Sequence, residues 1–203
     1  MRKVSLDEVF QMASEARESI WEQAKNVGRE PKIYLHWTAG HYHNLFADYH
    51  VNIDGDGQLW VEKDFDVTVN HTWKRNTGSI GIAICGCYGA GSQSLGAEPP
   101  TNKQIEMMAQ VIWKIADALW LTIDKAHVLT HGEAANNEDG YTDAHDPYPW
   151  WNDSYGDGDT RGDLEYLGTE ESPCYNPYAT DGTRGGDVLR GKANWYRSTY
   201  KEG

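Results

Sequence analysis

Residues 79–85 read Ser79-Ile80-Gly81-Ile82-Ala83-Ile84-Cys85, a run that is small or apolar at nearly every position. Such a run predicts a strand covered on both faces, near the centre of a sheet. Upstream, Tyr49 to Glu62 reads as two further strands, YHVNI and QLWVE, around the turn Asp54-Gly55-Asp56-Gly57. IYLHW (33–37) is another short strand, stopped by Thr38-Ala39-Gly40. Ahead of it, Ser5-Leu6-Asp7-Glu8 has the form of a capping box, followed by Val9, Ala13, Ala16 and Ile20 at helical spacing and by Gly28 and Pro31 as terminators. Downstream of the central run, Thr101 and Gln104 form a second capping box behind two prolines. Ile105, Met108, Ile112, Ile115 and Leu119 then give one apolar helix face. HVLTH (127–131) is a strand ending in a histidine, and a last helix is expected from about Asp187 to Tyr200.

Strands and helices alternate around a central hairpin, so the expected fold class is α/β, a mixed central β-sheet flanked by helices in a single domain. The expected division is an N-terminal helix in 1–28, a motif-bearing core in 32–167 and a C-terminal extension with a helix in 170–203. Within it, residues 136–160 form a long acidic and aromatic loop without periodicity, a length that points to function inside a compact domain.

The 203 residues carry 18 Lys and Arg against 31 Asp and Glu, a net charge of −13, with nine Trp and twelve Tyr. That balance, with no basic run, argues against nucleic acid and anionic membranes as partners. The aromatic load favours a folded chain with stacking surfaces. Three cysteines, Cys85, Cys87 and Cys174, cannot build a disulfide framework. The N-terminus places acids where a signal peptide needs an apolar stretch, and no window approaches the roughly 20 apolar residues of a membrane span. The expectation is a chain made in the cytoplasm, without membrane insertion.

His36 and His131 end two separate expected strands, where α/β sheets place their ligand sites. Asp163, after the long polar loop, supplies a carboxylate, with Asp153, Asp157 and Asp159 as competitors from the same loop. Two neutral imidazoles and one carboxylate make a three-ligand Zn2+ site whose fourth position is left to water. Other motifs carry less. His131-Gly132-Glu133 matches half of a zinc deaminase site, but Pro177 stands where that pattern needs a second cysteine. Asn52 to Gly57 starts like a calcium loop, yet Lys63 occupies its twelfth position.

Five segments in order, LHWTAG (35–40), DYHVNIDGDG (48–57), HTWKRNTGSIGIAI (71–84), LTHGE (129–133) and RGD (161–163), resemble the zinc-dependent N-acetylmuramoyl-L-alanine amidases over about residues 32–167. The resemblance implies hydrolysis of the amide between N-acetylmuramic acid and L-alanine in peptidoglycan. It implies zinc held by His36, His131 and Asp163. Tyr49 falls on the tyrosine that phage lysozyme-type members place near the scissile amide, and Arg161 falls where many members have a catalytic lysine. His71 and Asn76 fall where relatives line the substrate groove. Trp37, Trp150 and Trp151 are further candidate substrate contacts, the last two from the long loop. The cytosolic anhydromuramyl-peptide amidases carry a glutamate at the place of Ala83, and alanine moves no proton, so the Tyr49 variant of the mechanism is the one implied. An endolysin-like monomer that reaches the cell wall after release is the expected role. A module of the same fold that binds muropeptide without cleaving it is the alternative.

Overall fold

The computed structural model describes residues 1–91, 93–141, 162–176 and 179–200. Arg161, Trp150, Trp151 and the competing carboxylates Asp153, Asp157 and Asp159 lie outside the described residues, as does most of the 136–160 loop.

The chain runs β1 (Arg2–Val4), α1 (Leu6–Asn26), β2 (Lys32–Trp37), β3 (Val51–Ile53), β4 (Leu59–Val61), β5 (Ser79–Ile84), α2 (Asn102–Leu119), β6 (Val128–Thr130), α3 (His131–Ala135) and α4 (Gly185–Tyr200). The strands form one sheet in the order β1-β4-β3-β5-β2-β6. The expected central run is therefore central: β5 pairs in parallel with β2 on one side and β3 on the other. β2 also pairs in parallel with β6, whereas β4 runs antiparallel to both β3 and β1, so the sheet is mixed as expected.

Both anticipated capping boxes form. The Ser5 side chain accepts from the Glu8 amide at the start of α1, and Thr101 accepts from Gln104 at the start of α2. Each cap satisfies amides that the first helical turn leaves unpaired. The 54–57 turn is fixed locally, because Asp54 accepts from the Asp56 and Gln58 amides and from the Trp60 indole. That use of Asp54 makes the segment a hairpin turn.

Strand periodicity decides where the site can lie. Ile33, Leu35, Ile80, Ile82 and Ile84 join α1, α2 and α4 residues such as Ile20, Ile112 and Leu189 in one large core. The alternate residues Tyr34 and His36 of β2, and Gly81 and Ala83 of β5, face the other way. Among the described residues, the core on that second face is small, made of Tyr34, Leu129 and Ala134. Helices α1, α2 and α4 cover one side of the sheet, and among the described residues the other side carries the short α3 and a cluster of polar side chains.

Candidate metal centre

β2 and β6 run parallel with Leu35 opposite Thr130, so their next residues, His36 and His131, emerge side by side at the C-terminal ends of the strands. Thr130 caps the short helix α3, and its box with Glu133 makes His131 the first residue of that helix. Asp163 approaches from the 162–167 segment. Its Oδ2 lies 3.3 Å from His36 Nδ1 and 3.5 Å from His131 Nδ1. The imidazole centroids are 4.8 Å apart at an interplanar angle of 75°. One ligand atom from each of the three residues lies within 4.8 Å of the other two.

His36 and His131 are buried and the Asp163 side chain is 13% exposed. Burial opposes ionisation of Asp163, but the His131 and His36 imidazoles outweigh it and hold the carboxyl well below its usual range. The donor set is therefore a carboxylate facing two imidazole nitrogens. Two nitrogens and an anionic oxygen, held together in a largely buried pocket, suit a divalent ion of borderline softness.

A second row of residues stands behind His36. Its Nε2 lies 3.3 Å from the Thr72 hydroxyl, which is 2.8 Å from His71 Nδ1. His71 is buried, and burial, followed by the neighbouring histidines, pushes its pKa well below the usual value, so it is a neutral imidazole. Gly81 makes room for it, since a Cβ there would sit 2.6 Å from the His71 ring. Asn76 Oδ1 accepts from the His71 and Thr72 amides and shapes the turn that presents them. Placed this way, His71 and Asn76 back the cluster. Trp37 packs into the helix-side core, on the face opposite His36, and offers little surface to a substrate. Tyr49 is partly exposed, its ring centroid 5.1 Å from that of His36 and its hydroxyl 3.4 Å from the Trp37 carbonyl. The structure thus brings together His36, His131, Asp163 and Tyr49, with His71 behind them.

The neighbouring His50 is a structural group. Its Nδ1 accepts from the Gly81 amide and its Nε2 donates to the Val67 carbonyl, so both ring nitrogens are engaged. Burial lowers its pKa to about 4.

Sequence reasoning misses the buried ion pairs that tie together the segments carrying His131 and Asp163. The sequence reads Glu133 as a helix-start residue or as a partner behind a ligand histidine, and it takes the first of these places in the α3 capping box. In the structure Arg190 holds its carboxylate at 2.7 and 2.8 Å. Glu165, two residues after Asp163, accepts from the Thr130 hydroxyl at 2.6 Å and from Arg184 at 2.9 Å. Burial, helped by Glu133, raises its pKa to about 7 against the pull of Arg184.

Among known proteins, the sequence profile of the N-acetylmuramoyl-L-alanine amidases matches residues 14–149, which is well over half of the chain. No curated protein matches. A solved structure, the endolysin N-acetylmuramoyl-L-alanine amidase LysCS from Clostridium intestinale URNW, is similar at 17% identity over 50% of this chain and 68% of that one, with a TM-score of 0.40. With a mixed sheet, two histidines at adjacent parallel strand ends and a profile match across both of them, the chain belongs to the N-acetylmuramoyl-L-alanine amidase family, whose reaction is hydrolysis of the amide joining N-acetylmuramic acid to L-alanine in peptidoglycan.

Proposed function

We propose that this amidase is zinc-dependent, with His36, His131 and Asp163 as the metal ligands, and that it acts as an endolysin-like monomer on the cell wall. The observation that carries the reading is the single Asp163 oxygen set 3.3 and 3.5 Å from the imidazoles of His36 and His131. Bound by these three residues, Zn2+ would supply Lewis-acid polarisation of the amide carbonyl and a lowered pKa for water.

The chain's own residues do the rest. Asp163 stays ionised and offers its carboxylate as a ligand in a pocket that excludes most solvent. Thr72 holds the His36 ring from behind through Nε2, which leaves Nδ1 on the side of Asp163. Tyr49, whose ring centroid lies 5.1 Å from that of His36, would orient the attacking water or pass a proton toward the leaving amine. Ala83, paired in register with His36, presents only a methyl group, so the strand supplies no acid there. Arg161 would donate hydrogen bonds to the oxyanion, and as an arginine it keeps its proton. The aromatic residues of the long loop, Trp150 and Trp151 among them, would stack on the apolar faces of sugar rings.

Three intact donors favour catalysis over a module that only binds muropeptide. Elemental analysis of protein purified without added metal tests the metal assignment. About one zinc per chain is expected, falling to a small fraction of that in Asp163→Ala. Metal-free protein that keeps full activity would refute it.

A further inference from the structure

Each of the two ligand segments repeats one device. His131 is followed two residues later by buried Glu133, and Asp163 two residues later by buried Glu165. Both glutamates converge on Thr130. Its amide donates to Glu133 Oε2 at 2.9 Å and its hydroxyl donates to Glu165 Oε1 at 2.6 Å. Both are also gripped by arginines of the C-terminal segment: Arg190 by two bonds to Glu133, and Arg184 from its Nε to Glu165 at 2.9 Å. Arg184 further donates to Glu138 just beyond α3, at 3.0 and 3.1 Å.

The backbone between these anchors is strained where the ligand sits. Leu164, between Asp163 and Glu165, has φ of 59°, a left-handed conformation that costs a bulky residue about 1–2 kcal/mol and persists only when its surroundings impose it. The surroundings here are specific. Leu164 is fully buried, and the Gly185 amide donates to the Glu165 carbonyl at 2.9 Å. A Cβ on Gly185 would collide with the Leu164 carbonyl, and one on Gly186 would lie 2.8 Å from the Glu133 carboxylate. The two glycines let the start of α4 press directly onto both ligand segments. Everything from Asp163 onward lies beyond the 14–149 stretch matched by the family profile.

We propose that Thr130, Glu165 and Arg184, with Glu133 and Arg190, are positioning residues that lock Asp163 against His131, so that the C-terminal segment completes the metal site. The proposal rests on the metal assignment above. Breaking the lock leaves the three donors in the chain but lets the Asp163 segment relax out of its strained conformation. Groups that hydrogen-bond a metal ligand directly are worth roughly 10–100-fold in metal affinity, and residues that fix the ligand segments act on the same scale, toward its lower end.

The test is zinc affinity of the full chain, read by competition with a chromophoric chelator well below the melting temperature. Thr130→Val and Arg184→Gln are each expected to bind zinc 10–100-fold more weakly, while Thr130→Ser, which keeps the hydroxyl, stays near wild type. Arg184→Gln leaves the α3 cap intact and reads the lock independently if Thr130→Val does not fold. Wild-type affinity in Arg184→Gln, or a Thr130→Ser as weak as Thr130→Val, would overturn the proposal while leaving the ligand assignment standing. A wild type that binds no zinc at all would overturn both.

Discussion

Removing the Asp139 carboxylate should be among the most damaging single changes outside the metal cluster. The side chains of Arg75 and Asp139 are both fully buried and form an ion pair with Nε 2.8 Å from Oδ2 and Nη2 3.2 Å from Oδ1. Asp139 also accepts from the Tyr34 hydroxyl at 3.0 Å and the Tyr141 amide at 3.1 Å. Burial opposes its ionisation, and Arg75 outweighs burial, so its pKa is lowered. Asp139→Ala removes the carboxylate that faces the interior guanidinium, whose Nη2 also donates to Asn137 Oδ1 and the Tyr141 carbonyl at 2.7 and 3.2 Å. Stripping one partner from a buried pair costs about 3–5 kcal/mol, because the remaining charge is uncompensated. At roughly 2–4 °C per kcal/mol for a chain of this size, the melting temperature should fall by about 6–20 °C. Asp139→Asn, which keeps an acceptor for Tyr34 and Tyr141, should fall by less. The pair joins the turn that carries Thr72 to the segment after α3, so the metal cluster should loosen as well. Urea unfolding followed by far-ultraviolet circular dichroism measures the loss. A cost below about 1 kcal/mol in Asp139→Ala would refute the argument that this pair holds the two segments.

Two further outcomes are expected. Tyr49→Phe should keep the fold and the metal while lowering turnover on peptidoglycan by roughly 10²-fold, the scale for a positioned proton donor. An unchanged rate would make Tyr49 a packing residue. His50 has a folded pKa of about 4, below its unfolded value of about 6.5, so its contribution to stability is complete above pH 6.5 and is lost as the pH falls toward 4. The loss is about 3 kcal/mol, because the unfolded chain takes up the proton that the folded site refuses. His50→Gln should show a shallower acid-side slope in unfolding free energy, and an identical slope would remove His50 from the explanation.

What the sequence reveals is what local chemistry controls. The β5 run and the Ser5 and Thr101 boxes each contain their own cause, and they appear where they are expected. His36 and His131 are legible because LHW and LTH place a histidine at a strand end. β1 escapes such reading, since three residues gain strand structure only by pairing with β4, which lies near residue 60. Helix α4 starts at Gly185, two residues before its expected start, because the close approach to Leu164 selects glycine there over an ordinary first-turn residue. His71 and Asn76 look like groove residues in one dimension. Hydrogen bonds within the 71–76 turn and the space above Gly81 set them behind His36, and both also line a surface pocket with Asn70, Thr72, Trp73 and Lys74. The glutamate and arginine lock is invisible in the sequence, because its partners are separated by 19 residues for Glu165 with Arg184 and 57 for Glu133 with Arg190. No periodicity spans such distances.

The most direct test of the central claim is mass analysis of the products when the full chain digests purified peptidoglycan, before and after metal removal. The account predicts stem peptides with a free L-alanine amino terminus and glycan strands whose N-acetylmuramic acid lactyl carboxyls are unsubstituted. Chelation should abolish this product and zinc should restore it. New reducing sugar ends in place of free L-alanine, or cleavage that survives complete removal of metal, would contradict it.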